Sequence, residues 1–240
     1  MTRPRLDHLL ADRGLVDSRT QAQTLILAGK VRVDGETIRQ PSREVGPDQA
    51  VEVSEPSPYV SRGGHKLAPA LAQFGVNPGG RVCADIGAST GGFTDVLLQR
   101  GASRVYAVDV GRGLIHERLR QDPRVVLMER VNARHLEGFP EPVSLITVDV
   151  SFIGLEKVMP ALVAAAPEAE LVVLFKPQFQ VERGAVGKGG IVKDPFAVER
   201  ALVLFRSFCS GLGLEVAGEA PSSIAGADGN QEYLIHLKAA

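Results

Sequence analysis

Two lysines and two acids have the residue types needed to handle a proton. Lys66 lies in Tyr-Val-Ser-Arg-Gly-Gly-His-Lys-Leu and Asp149 in Val-Asp-Val-Ser-Phe. Lys176 lies in Phe-Lys-Pro-Gln-Phe and Glu232 in Gly-Asn-Gln-Glu-Tyr-Leu. A lysine whose surroundings favour the neutral amine can take a proton from a weakly acidic alcohol. As an ammonium it can instead stabilise the developing alkoxide. Acids beside it orient the amines and balance their charge. The plainer reading is a pair of ordinary rim salt bridges, as a lone Lys–Asp pair usually is. Asp149 and Lys176 stand 27 positions apart, so they share a site only if a sheet brings two strand ends to one rim.

A glycine-rich loop supplies the second feature. Asp85-Ile-Gly-Ala-Ser-Thr-Gly-Gly-Phe-Thr-Asp95 follows an apolar strand pattern and opens a helical one. Gly87, Gly91 and Gly92 allow the backbone to approach a ligand closely. Asp85, Gly87, Ser89, Thr90, Gly91, Gly92 and Phe93 are therefore candidates for cofactor contact. Four positions separate Gly87 from Gly91, which does not fit the G-x-G-x-x-G dinucleotide fingerprint. Asp109 lies about twenty residues beyond the loop at the end of a second strand, where a carboxylate can bind both ribose hydroxyls. Its alternative is a helix cap.

These residues need a scaffold, and the chain has the pattern for one. Strands are expected at 81–86, 105–109, 125–129, 145–149 and 171–175, with helices at 92–100 and 196–211 and late strands at 215–219 and 232–238. That alternation predicts an α/β fold, a mostly parallel sheet with helices on both faces. Residues 1–58 differ in style. Leu6, Leu9, Leu10 and Arg13 have helical spacing before Gly14, and Ser18 caps a helix expected at 19–28. Short alternating strands flank an Asp34-Gly35 turn, and 51–53 closes the unit. This small α+β module ends in a proline-rich linker at 54–58. The expected domains are thus 1–58 and 59–240.

Composition bounds the function. The chain has 240 residues, 44% hydrophobic, with a net charge of −1. Two cysteines exclude a disulfide scaffold, and no Cys/His cluster suggests a metal site. Cys83 reads as a buried hydrophobe, and Cys209 has no basic partner that would activate it. His8, His116, His135 and His236 read as surface or cap residues. No apolar run approaches the ~18–20 residues of a membrane span, and the N-terminus lacks a secretory pattern. A soluble, cytoplasmic protein is expected.

The Lys66–Asp149–Lys176–Glu232 order resembles the Lys-Asp-Lys-Glu tetrad of FtsJ/RrmJ-type ribose 2′-O-methyltransferases. The loop at 85–95 resembles the D-x-G-x-x-x-G-G loop of S-adenosylmethionine-dependent methyltransferases. Ser-Arg-Gly-Gly-His-Lys-Leu, Asp-Val-Ser-Phe-Ile, Phe-Lys-Pro-Gln-Phe and Lys-Gly-Gly-Ile-Val-Lys-Asp-Pro together resemble the TlyA family over nearly the whole chain. The resemblance implies a Rossmann-like fold, S-adenosylmethionine as cofactor and ribosomal RNA cytidine 2′-O-methylation. It makes Lys176 the group that handles the hydroxyl proton, with Lys66, Asp149 and Glu232 positioning it. Asp149 would also border the cofactor, and Asn132 and Ala133 would lie beside its adenine. Asn132 has an Asx turn as its alternative. Family members are often called haemolysins. A membrane-acting protein and an RNA-binding assembly factor without turnover are the competing readings. The short ends favour a large-subunit target.

The first 58 residues resemble the RNA-binding domain named after ribosomal protein S-four. They carry eight Lys/Arg against nine Asp/Glu, so bulk charge cannot attract RNA. Arg3, Arg5, Arg19, Lys30 and Arg32 cluster on the helices and first strand instead. A second basic group combines Arg62 and His65 with Arg183, Lys188 and Lys193 around a glycine-rich loop. That loop is expected to close over RNA. The expected partner is ribosomal RNA within a subunit, with a target nucleotide flipped out where it lies in a helix. Phe179 would stack on a base or pack in the core.

Overall fold

The computed structural model describes residues 3–53 and 57–240. Part of the expected linker, Ser54, Glu55 and Pro56, falls outside the described residues, as does the Arg183 side chain. The chain divides into two compact units, Met1–Pro58 and Tyr59–Ala240.

In the first unit, α1 (Leu6–Asp12) and α2 (Arg19–Leu27) precede β1 (Val31–Val33), β2 (Glu36–Ile38) and β3 (Val51–Val53). Ser18 Oγ accepts from Gln21 N at 3.2 Å and caps α2. The strands form an antiparallel sheet in the order β2-β1-β3. Asp34 and Gly35 both have positive φ, +51° and +83°, as a two-residue hairpin turn of the primed type requires. Leu6, Leu10, Ala22, Ile26 and Val31 form a fully buried core.

The second unit contains α3 (Arg62–Phe74), β4 (Val82–Ile86), α4 (Gly92–Gln99), β5 (Arg104–Asp109), α5 (Glu117–Arg120), β6 (Val125–Glu129), β7 (Leu145–Val148), α6 (Met159–Ala165), β8 (Glu170–Phe175), α7 (Pro195–Gly211), β9 (Leu214–Pro221) and β10 (Tyr233–Ala239). Its seven-stranded sheet runs β6-β5-β4-β7-β8-β10-β9. Strands β4 to β8 are parallel, and β10 is antiparallel to both β8 and β9. Successive residues of β4 face opposite sides: Ala84 and Ile86 pack with α6 and α7, Cys83 with α3 and α4. The chain leaves β4 toward β5 and later returns on the other side as β7. The switch point therefore lies between β4 and β7, where an open α/β sheet presents its ligand crevice.

Helix α3, which carries Lys66 just before β4, is not among the helices expected from the sequence. Gly63, Gly64 and Pro69 all sit inside it, and each weakens a helical signal. Tertiary packing requires at least one of those glycines. A Cβ on Gly64 would come within 2.2 Å of the Tyr59 ring.

Candidate active site

The end of β4 and the end of β7 meet closely. Gly87 has φ +82°, and a Cβ there would lie 2.4 Å from the Asp149 carbonyl oxygen. Only glycine fits this crossing. Gly91 has φ +94° and opens α4, and a Cβ on it would strike Leu119 at 2.3 Å. Gly87 lowers the floor of a cleft of about 210 Å³. Ser61, Gly63, Lys66, Ser89, Thr90 and Asp149 are among the residues that line it. The cleft thus unites the glycine loop with one lysine and one acid of the tetrad.

The other two members stand behind those partners. Lys66 Nζ lies 2.5 Å from Glu232 Oε2, and Lys176 Nζ lies 2.5 Å from Asp149 Oδ1. The second contact is an ion pair without hydrogen-bond alignment at Oδ1. The aligned bond of Lys176 is donated to Ser151 Oγ at 2.7 Å. The two lysines are therefore held separately, each by its own acid. Glu232 and Lys176 are buried, so the pairs are far better shielded from water than surface ion pairs.

Asp85 anchors the loop from below. Its carboxylate is fully buried, accepts from Thr94 N at 2.8 Å and from Thr94 Oγ1 at 2.7 Å, and meets Thr147 Oγ1 at 3.2 Å. Burial pushes its pKa up to about 7, with Asp149 adding to the rise while the Thr94 and Thr147 bonds oppose it. Asp109 holds the loop from the side. Its two oxygens accept from Ser89 N at 2.8 Å and from Gly111 N at 2.7 Å. Asp109, Ala88, Gly111, Ile115, Leu127 and Glu129 line a narrow slot that continues from the loop. Asp109 and Glu129 supply its acids, and Ile115 and Leu127 its apolar walls.

Asn132 and Ala133 do not line either cavity. Asn132 Oδ1 accepts from Arg134 N at 3.1 Å, so the Asx turn is the arrangement present. Ala133 packs in the core. Phe93 is nearly buried yet reaches the cleft wall. His236 corrects the expectation of a surface or cap residue. It is buried and stacks on Phe74 with ring centroids 5.7 Å apart. His116 does cap α5, its Nδ1 accepting from Arg118 N. Cys83 and Cys209 are buried free thiols, pushed up to about 12 chiefly by desolvation.

Four residues escaped the sequence reading. Ser151 holds Lys176, and Thr147 reaches Asp85. Phe152 is 91% exposed with φ +62°, and its ring lies 5.2 Å from that of half-buried Phe179. Asn230 is buried, accepts from Val192 N at 2.9 Å and donates to Gly190 O at 2.8 Å. It therefore ties down the glycine-rich loop that carries exposed Lys188 and Lys193. Among the remaining basic candidates, Arg62 donates to Ala225 O at 2.7 Å. The His65 ring meets Tyr59 edge-on at 5.2 Å. In the first unit Arg3, Arg5, Arg19 and Arg32 are exposed and Lys30 partly so.

A mostly parallel sheet with a glycine loop at its switch point, two acid–lysine pairs at the same rim and a small appended module define a class: a methyltransferase fold carrying an extra domain. The chain belongs to the FtsJ-like methyltransferase family, which matches residues 59–239, and an S4 domain matches residues 4–51. It is 47% identical over 241 residues to the 16S/23S rRNA (cytidine-2′-O)-methyltransferase TlyA of Mycobacterium tuberculosis (strain ATCC 25618 / H37Rv), covering 98% of this chain and 90% of that one. It is 42% identical to Hemolysin A of Brachyspira hyodysenteriae, covering 97% and 99%. A solved structure from Streptococcus thermophilus, described as a hemolysin, superposes with a TM-score of 0.77 at 40% identity, covering 100% of this chain and 89% of that one. Among the described residues, no helix is long and apolar enough to cross a membrane.

Proposed function

We propose that this protein transfers a methyl group from S-adenosylmethionine to the ribose 2′-hydroxyl of a cytidine in ribosomal RNA. The observation that carries the reading is the convergence of Lys66 and Asp149 on the cleft floored by Gly87. The relative from M. tuberculosis, by its name, performs this reaction on 16S and 23S rRNA.

The cradle formed by Gly87, Gly91 and the Asp109–Ser89 bond fits a nucleoside cofactor. The cofactor supplies an electrophilic methyl on sulfur. When bound, its ribose would be held by Asp109, and Asp149 would border its reacting end. Lys176, fixed by Asp149 and Ser151, takes the hydroxyl proton on its Nζ as the oxygen attacks the methyl group. Lys66, fixed by Glu232, lines the cleft and adds positive charge beside the developing alkoxide. The cofactor would give up its methyl group to the new O–C bond and leave as the neutral thioether. The exposed ring of Phe152 supports this reading, because a flipped base needs an aromatic face on which to rest.

Both acid–lysine pairs are intact, which favours turnover over a purely binding role. Ribosomal subunits and labelled S-adenosylmethionine test this directly. Wild type is expected to label rRNA, and Lys176→Ala to lower the rate by at least ~10²-fold. Lys176→Ala labelling at the wild-type rate refutes the assignment.

A further inference from the structure

We propose that Asp7 is a positioning residue that fixes Arg5 and Arg19 as one phosphodiester-binding fork on the N-terminal unit. The proposal rests on the reading of that unit as an RNA grip. Asp7 stands in the first turn of α1 with its carboxylate wholly removed from solvent. Arg5 Nε donates to its Oδ1 and Arg5 Nη2 to its Oδ2, both at 3.0 Å. Arg19 Nε donates to Oδ2 at 3.0 Å, and Gln23 Nε2 to the same oxygen at 2.8 Å. The backbone N–H of His8 completes the set at 3.1 Å. Hydrogen bonding, first from Arg5, holds this carboxyl far below the usual carboxylate range despite its burial.

Arg5 meets Asp7 along its Nε–Nη2 edge and Arg19 through Nε. Among the described residues, Arg5 Nη1 and both terminal nitrogens of Arg19 make no hydrogen bond. The two side chains are 44% and 49% exposed. A guanidinium gripped on one edge presents its other N–H groups in a fixed plane, and a planar pair of donors matches an anion with two open oxygens. The phosphodiester group of a folded RNA is such an anion.

Charge alone predicts the opposite role for Asp7. It cancels one of the two positive charges, so removing it should strengthen attraction to any polyanion. If geometry matters more, removing it frees two long side chains whose rotamers must then be ordered on binding. The two accounts differ in sign.

The test measures binding of the full chain to purified rRNA across a salt series. Asp7→Asn is expected to bind ~10-fold more weakly, with a shallower salt slope, and to bind S-adenosylmethionine as the wild type does. Arg19→Lys keeps the charge and loses the fork, so it should lose about as much affinity as Arg19→Ala. Should Asp7→Asn fail to fold, Arg19→Lys decides alone. Unchanged or tighter binding by Asp7→Asn, or wild-type binding by Arg19→Lys, overturns the proposal. Wild type that binds rRNA without methylating it refutes the transferase reading and leaves the variants to decide the fork. Wild type that binds no rRNA refutes the fork itself.

Discussion

Lys66 Nζ lies 2.5 Å from Glu232 Oε2 across 166 positions of sequence. The contact joins α3 to the entry of β10. Two further bonds lash the same segments together: Ser223 Oγ donates to His65 O at 2.8 Å, and Arg62 Nη2 to Ala225 O at 2.7 Å. A Cβ on Gly226 would come within 2.5 Å of Glu232 Oε1, so the acid is hemmed in on its second oxygen as well. The pair is a built feature of the cleft wall.

Removing one partner should therefore cost both stability and turnover. Glu232→Gln leaves the Lys66 ammonium without its counter-charge, at a cost of roughly 3–5 kcal/mol. Replacing both, as Lys66→Met with Glu232→Leu, should recover most of that stability while leaving methyl transfer at least ~10²-fold slow. Urea denaturation and initial rates measure the two effects. A double variant with wild-type turnover would show that the pair is structural only.

Gly87→Ala should disrupt the cofactor cradle. It places a Cβ against the Asp149 carbonyl and forces a side chain onto φ +82°. The expected loss is at least ~1–3 kcal/mol, with S-adenosylmethionine affinity reduced by calorimetry. Gly75→Ala is the control. Gly75 has φ +67° with nothing within 4 Å of the added atom, so it should lose some stability and no cofactor affinity.

Asp85 gives the protein a pH signature. Its pKa rises from an ordinary 3.8 to about 7 in the fold, mainly through burial. Between those values the native state keeps a proton that the unfolded chain releases. This contribution is fully present below 3.8, falls as pH rises and is lost by about 7, a change of roughly 4 kcal/mol at most. Asp85→Asn can still accept the Thr94 bonds and carries no charge. The stability of wild type minus that of Asp85→Asn, from urea melts at pH 5 and pH 8, should be lower at pH 8. An equal difference at both pH values contradicts the assignment.

Asn230→Ala should release the loop that carries Lys188 and Lys193. The Asn230 amide bonds both Gly190 O and Val192 N, and alanine can replace neither bond. Trypsin should cut after Lys188 and Lys193 faster than in wild type under native conditions. Unchanged cleavage would mean that other contacts hold the loop.

The sheet was legible because β4, β5, β7 and β8 are short apolar runs punctuated by turn residues, a pattern that survives without tertiary knowledge. The cleft was legible in outline because Gly87, Asp149 and Lys176 all follow strands directly. Helix α3 was hidden, since Gly63, Gly64 and Pro69 contradict local propensity and are retained for packing against neighbours such as Tyr59. Asp7, Thr147 and Asn230 were hidden for another reason. Each matters through partners that only the folded chain brings near, and each looks locally like an ordinary polar residue. The arginines of the first unit were identifiable singly, whereas their convergence on one buried carboxylate was not.

The most direct test of the central claim is the position of the transferred methyl group. rRNA labelled by wild-type protein with S-adenosylmethionine should be digested to nucleosides and analysed by mass spectrometry. The account predicts 2′-O-methylcytidine, with the label lost in Lys176→Ala. A methyl group on the base, or labelling that persists in Lys176→Ala, would contradict it.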